Sequence, residues 1–155
     1  MLKFLLLFVV VCSSGLLGFS FSQKLFERKR VLESFSLLIK NSATKIRYTT
    51  SPLSVIFSDN FMGYNFVEDI PFASQWKTML KSYLKLLDIK DIEVLTEFGE
   101  CIGTSDVTGE MNNIELYLSL LNECVQNAEQ DIKNKSRLYK TLGLSLGIVI
   151  SILLV

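Results

Sequence analysis

Few side chains in this chain could carry chemistry. The 155 residues include no histidine, which excludes Ser-His and Cys-His nucleophile activation and most mononuclear zinc sites. Of the three cysteines, Cys12 lies inside an apolar run. Cys101 and Cys124 are 22 residues apart, which fits neither a redox dithiol motif nor a zinc-ligand pair, and in a reducing compartment they read as small core residues. No phosphate-cradling glycine loop and no metal-ligand spacing occurs. Asp88 and Asp91 read as helix-start residues that favour the positive end of the helix dipole. We therefore expect no catalytic residue, no metal and no cofactor. Glu93, Glu97 and Glu100 remain. Their spacing puts three carboxylates on one helix face, either a docking surface for a basic partner or, as is commoner for a charge run, solvated surface.

The elements that position these residues follow from where charge is missing. A hydrophobic content of 49% excludes a disordered chain, and 16 bases against 16 acids disfavour a nucleic-acid binder. All the acids and all the bases but Lys3 lie between Lys24 and Lys140. Phe4 to Ser22 carries no charge and as a helix reaches ~28 Å, against a hydrocarbon core of ~30 Å. The rival reading is a cleaved signal peptide ending at Ser20-Phe21-Ser22, but its basic flank is Lys3 alone. Thr141 to Val155 is also uncharged, and reaches ~27 Å if Leu138 to Lys140 join it with Arg137 and Lys140 snorkelling. We expect transmembrane helices over 1–22 and 141–155 around a domain over 23–140. Lys24, Arg28, Lys29 and Arg30 follow the first segment, and Lys133, Lys135, Arg137 and Lys140 precede the second. That bias places both termini outside and the domain in the cytoplasm. Ser14, Gly18 and Ser22 in one segment and Gly143, Gly147 and Ser151 in the other recur at every fourth residue, giving small-residue stripes that let membrane helices approach closely.

Between these segments the apolar period is helical. Leu25, Leu32, Phe35, Ile39 and Ile46 predict a helix over Gln23 to Tyr48 continuing the first segment. Ser51, before Pro52, reads as the N-cap of a new helix. Asp59 to Pro71 reads as a packed loop and Ala73 to Leu87 as a helix. Asp88 should cap a helix from Ile89 to Cys101 that ends near Gly103. The last helix starts at Ser105 or Asp106 and carries Ile114, Leu118, Leu121, Val125, Ala128 and Ile132, spaced by fours and threes, into the second segment. The predicted fold is all-α: a helical bundle with a long antiparallel helical stem plus shorter helices, anchored by a transmembrane helix at each end. Charge separates along it. Lys24 to Arg47 with Lys133 to Lys140 hold 11 bases and 2 acids, whereas 48–132 hold 4 bases and 14 acids.

Several stretches also carry a resemblance. These are Gly18-Phe19, Leu25, Arg28, Ile46, Tyr48 and Ser51-Pro52-Leu53; then Gly103-Thr104-Ser105-Asp106, Ile114, Leu121 and Ala128; and finally Leu138-Tyr139-Lys140-Thr141-Leu142-Gly143 with Gly147. Over nearly the whole chain this pattern resembles the stage III sporulation protein AB family. The chain departs from it at Lys45, where glutamate is usual, and at Glu110, where glutamine is usual. The resemblance implies a non-enzymatic membrane subunit of the sporulation channel complex between mother cell and forespore, in the mother-cell membrane around the forespore. Its partners would be other channel subunits. Likeness to the inner-membrane platform proteins of type II secretion and type IV pilus systems adds a cytoplasmic secretion-type ATPase. Two other readings fit the residues: a membrane-anchored regulatory scaffold whose acidic helical domain recruits a soluble partner, and a secreted helical binding domain.

Overall fold

The computed structural model describes residues 2–48, 51–57, 64–139, 141–142, 145 and 149–150, with side chains for these except 2–12, 14–15 and 17–18. The chain is all-α. Its elements are α1 (Leu2–Tyr48), α2 (Leu53–Ile56), α3 (Phe72–Lys81), α4 (Ile89–Cys101) and α5 (Val107–Asp131), the last continuing into a π-helical segment, Ile132–Ser136. As expected, α1 runs unbroken out of the first apolar stretch. Among the described residues no helix is long and apolar enough to cross a membrane. Much of the two expected membrane segments, including the side chains of Ser14 and Gly18 and the whole of Gly143, Gly147 and Ser151, lies outside the described residues.

The chain divides into two compact units, one formed by 30–126 and the other by 1–29 with 127–155. The core of the first is aromatic. Trp76 on α3 is fully buried, with Phe35, Phe57, Phe66, Phe72 and Phe98 around it at ring-centroid distances of 5.7, 6.0, 6.4, 5.6 and 5.2 Å. Its indole N–H donates to the Leu95 carbonyl at 2.7 Å, so the polar atom of a buried ring is satisfied by α4. The approach is close enough that a β-carbon at Gly99 would stand 2.1 Å from Trp76 Cδ1. The loop before α3 is packed, as expected for its described part. The Gln75 amide accepts from Val67 N at 2.8 Å and donates to the Val67 and Ile70 carbonyls, both at 2.7 Å.

Helix ends follow local chemistry, with two corrections. The helix expected over Ala73 to Leu87 stops at Lys81. Ser82 N and Tyr83 N donate to Met79 O and Leu80 O at 3.1 and 3.0 Å, tightening the last turn, and the Tyr83 ring then packs edge-on to Phe35 at 5.7 Å. The cap of α2 is Pro52 rather than Ser51. Its carbonyl accepts from Val55 N and Ile56 N, and a proline there loses nothing because the first helical N–H groups have no partner. Asp88 caps α4 as expected, in a capping box where Asp88 N donates to Asp91 Oδ2 at 3.0 Å. Past the end of α4, Gly103 takes φ +83°, and Leu53 Cδ1 lies 2.6 Å from where its β-carbon would be. Asp106 begins α5 by accepting from Gly109 N at 2.9 Å.

Buried positions on α5 are Glu110, Ile114, Tyr117, Leu121, Cys124 and Ala128, while Leu118, Val125 and Ile132 are half-buried. The packed face is thus turned slightly from the expected stripe. In the second unit 21–28 of α1 and 131–139 run antiparallel. Phe21 meets Tyr139 (6.0 Å between centroids), Ser22 meets Ser136 (2.6 Å) and Arg28 meets Asp131 (2.9 Å). The π segment carries the packed face from Ala128 through Ile132 to Ser136, two steps of four. A π turn makes that step by adding one residue to the helix.

Gly99→Ala should destabilise the chain by ~1–3 kcal/mol, the usual cost of overpacking. Combined with Trp76→Phe, which shrinks the ring it meets, the double variant should be less destabilised than the sum of the singles, as read by chemical denaturation of all four proteins.

Candidate functional site

Because the inner face of α4 is committed to the core through Val94, Leu95 and Phe98, its outer face is left to polar residues. Glu93, Glu97 and Glu100 are all exposed there, on the one face that their spacing predicts. Glu100 pairs with Lys77 of α3 at 2.6 Å, with both side chains about half exposed, whereas Glu93 and Glu97 are in no ion pair among the described residues. The helix carrying them is held at its start and along its back: by the Asp88–Asp91 box, by Lys90 pairing with Glu123 of α5 at 2.7 Å, and by the Trp76–Leu95 hydrogen bond. The face is therefore a row of exposed carboxylates on a held helix.

Beneath this row lies Tyr117, whose hydroxyl donates to Cys101 Sγ at 3.3 Å. Burial pushes its phenol well above the ordinary 10.0, helped by the hydrogen bond to Cys101 and by the charges of Cys101, Glu97 and Glu100. Neither Cys101 nor Cys124 is in a disulfide; Cys124 is buried and Cys101 partly exposed. No group of three or more cysteine, aspartate or glutamate side chains that could hold a metal occurs among the described residues.

The resemblance motifs meet in space next to this helix. Leu53, of Ser51-Pro52-Leu53, packs on Gly103, the first residue of Gly103-Thr104-Ser105-Asp106. Glu110 ties that loop to α5: its Oε1 accepts from Gly103 N at 2.9 Å and from Ser105 N at 2.8 Å, while Oε2 is buried with no partner among the described residues. Lys45 Nζ donates to the Ile56 carbonyl at 3.2 Å. Both positions that depart from the pattern thus make contacts of their own.

A family model described as stage III sporulation protein AB matches residues 64–155. The chain belongs to the stage III sporulation protein AB family. A relative, stage III sporulation protein AB of Bacillus subtilis (strain 168), is 26% identical over 176 aligned residues that take in 99% of each chain. No solved structure matches.

The remaining site expected for this member of the family is the pair of small-residue stripes. Ser22 is buried and hydrogen-bonded to Ser136, a residue that belongs to neither stripe. The stripes' other members lie outside the described residues, in side chain for Ser14 and Gly18 and altogether for Gly143, Gly147 and Ser151. Sequence reasoning missed Ser136. An α-helical stripe continued from Ala128 and Ile132 reaches the charged Lys135, and the small neighbouring residue takes its place only once the π turn is inserted.

Two carboxylates organise the same unit. Glu129 accepts from Lys133 at 3.0 Å and lies 3.7 Å from Lys29, while Asp131 accepts from Lys135 at 2.6 Å and from Arg28 at 2.9 Å. Each acid is bracketed by one base of α1 and one on its own helix. Lys133, and then Lys29, hold the Glu129 carboxyl below the usual glutamate range.

The raised Tyr117 phenol has a signed consequence. Its contribution to stability is fully present below the unfolded-state value of 10.0 and is lost as pH rises from there towards the folded-state value. Tyr117→Phe should therefore flatten the alkaline limb of a stability-against-pH curve while leaving its neutral region nearly parallel to that of the parent.

Proposed function

We propose that this chain is a non-enzymatic membrane subunit of the sporulation channel complex between mother cell and forespore. A transmembrane helix at each end holds it in the mother-cell membrane, and its helical domain lies in the cytoplasm and docks a secretion-type ATPase. The observation that carries the docking role is the carboxylate row of α4, with Glu93, Glu97 and Glu100 all exposed on one face. An acidic row on a held helix suits a basic patch on a partner, since its charge steers the encounter. Membership of the family supports the sporulation context. The apolar, uncharged ends of the sequence and the bases beside them support the membrane placement and the orientation. Small residues at Ser14, Gly18 and Ser22 and at Gly143, Gly147 and Ser151 are proposed to bring the two membrane helices together.

Replacing Glu93, Glu97 and Glu100 together by glutamine keeps size and helix propensity, so the chain should fold. Binding to the purified ATPase should weaken, and the residual affinity should depend less on salt. Equal binding of parent and triple variant at low salt would leave the face as solvated surface. Orientation has its own check. In a chain stripped of native cysteines, a thiol placed at the exposed Ser51 should escape a membrane-impermeant label in intact cells, and one added after Val155 should react.

A further inference from the structure

We propose that Lys24, Lys133, Lys135 and Arg137 form a collar that binds the phosphate headgroups of anionic phospholipid. This inference rests on the membrane placement given above and adds the chemistry of the lipid. All four side chains are exposed, and each lies within three residues of Ser22 or Ser136, the point where the two helices of this unit touch. Along this pair, bases outnumber the acids that could neutralise them. Glu129 and Asp131 are each shared between two bases, and in this unit Lys24, Arg28, Lys29, Lys133, Lys135 and Arg137 outnumber Glu27, Glu129 and Asp131. Lys24 and Arg137 are in no ion pair among the described residues, and Lys24 instead lies 5.6 Å over the Phe21 ring. The only other acid in this part of α1 is Glu27.

Immediately beside the collar both helices expose large apolar side chains. Phe19 and Phe21 on one and Leu138 and Leu142 on the other are about half accessible. Such side chains next to a ring of bases match the interfacial zone of a bilayer, where aromatic and aliphatic groups meet the acyl boundary and bases meet the headgroups. An acidic peptide could neutralise the bases but would not cover apolar side chains on both helices. A leaflet surrounds the pair from every side, so the bases need not share one face. Lysine and arginine offer the headgroup phosphate charged N–H donors, and the anionic lipids supply the counter-charge that the two shared carboxylates do not.

The test uses the full chain purified in a neutral detergent and titrated at low salt with dioctanoyl-phosphatidylglycerol, dioctanoyl-phosphatidylcholine or glycerol 3-phosphate. Phosphatidylglycerol should bind about tenfold or more tightly than phosphatidylcholine, with a preference that fades as salt rises, and glycerol 3-phosphate should not compete. Lys24→Gln with Arg137→Gln leaves both carboxylate brackets intact. It should keep the parent's melting temperature in detergent and lose affinity for the anionic lipid about fivefold per charge removed. Lys133→Gln with Lys135→Gln should lose a similar amount. Equal binding of the two lipids by the parent, unchanged preference in both variants, or competition by glycerol 3-phosphate overturns the collar. Carbonate extraction of the chain from native membranes separates the layers of the argument. A chain that resists extraction yet shows no headgroup preference overturns the collar alone, and a chain released by carbonate overturns both the collar and the membrane placement.

Discussion

The contact on which the 30–126 unit depends is that of Trp76 with α4 at a position where no side chain can stand. Gly99 lets the indole reach the helix backbone, the Leu95 carbonyl receives its N–H, and the phenylalanines of α1, α3 and α4, with Phe57 just past α2, close around the ring. A ring of this size dominates the energetics of a small core, and its single polar atom admits one orientation only when a partner is fixed in place. The outward carboxylates follow from it. With one side of α4 spent on aromatic packing and both of its ends capped, Glu93, Glu97 and Glu100 have a single direction left to face.

The other unit is organised by charge rather than by rings. Its helices touch through two serine hydroxyls, small enough for close approach, and are flanked by carboxylates that each serve two bases. Arg28 is nearly buried, so Asp131 is the partner that makes its burial tolerable. Where charges are this dense, removing one acid takes a contact from two cations at once, while removing one base leaves its acid still paired. The arrangement is therefore more sensitive to loss of a carboxylate than to loss of a lysine.

Much of this was legible in the sequence, for identifiable reasons. The capping aspartates of α4 and α5, the stop near Gly103, the continuity of α1 and the buried Leu32, Phe35 and Ile39 all come from local rules that tertiary contacts did not override. What was not legible depended on residues far apart in sequence. The end of α3 at Lys81 is set where Tyr83 turns to pack on Phe35, a contact no local propensity encodes. The small rotation of the α5 stripe arises because Tyr117 and Cys124, rather than Leu118 and Val125, face the core. The π turn is invisible to a period fixed at 3.6. For the candidate site, spacing alone put the three glutamates on one face, but the Lys77 partner of Glu100 and the neighbouring Tyr117 phenol needed the fold.

The buried indole has a spectroscopic consequence. Trp76 is the only tryptophan of the chain, and it lies in the unit formed by 30–126. Its intrinsic emission therefore reads one half of the molecule and is blind to the other, since the tyrosines and phenylalanines of the paired ends contribute little when the indole is excited selectively. Shielded from water, the ring should emit at short wavelength and be poorly reached by collisional quenchers. Any condition that reddens the emission is loosening the aromatic core, whatever happens in the unit formed by 1–29 and 127–155. A structural residue thus doubles as a built-in reporter, able to tell events in the 30–126 unit from events in the other unit without a label.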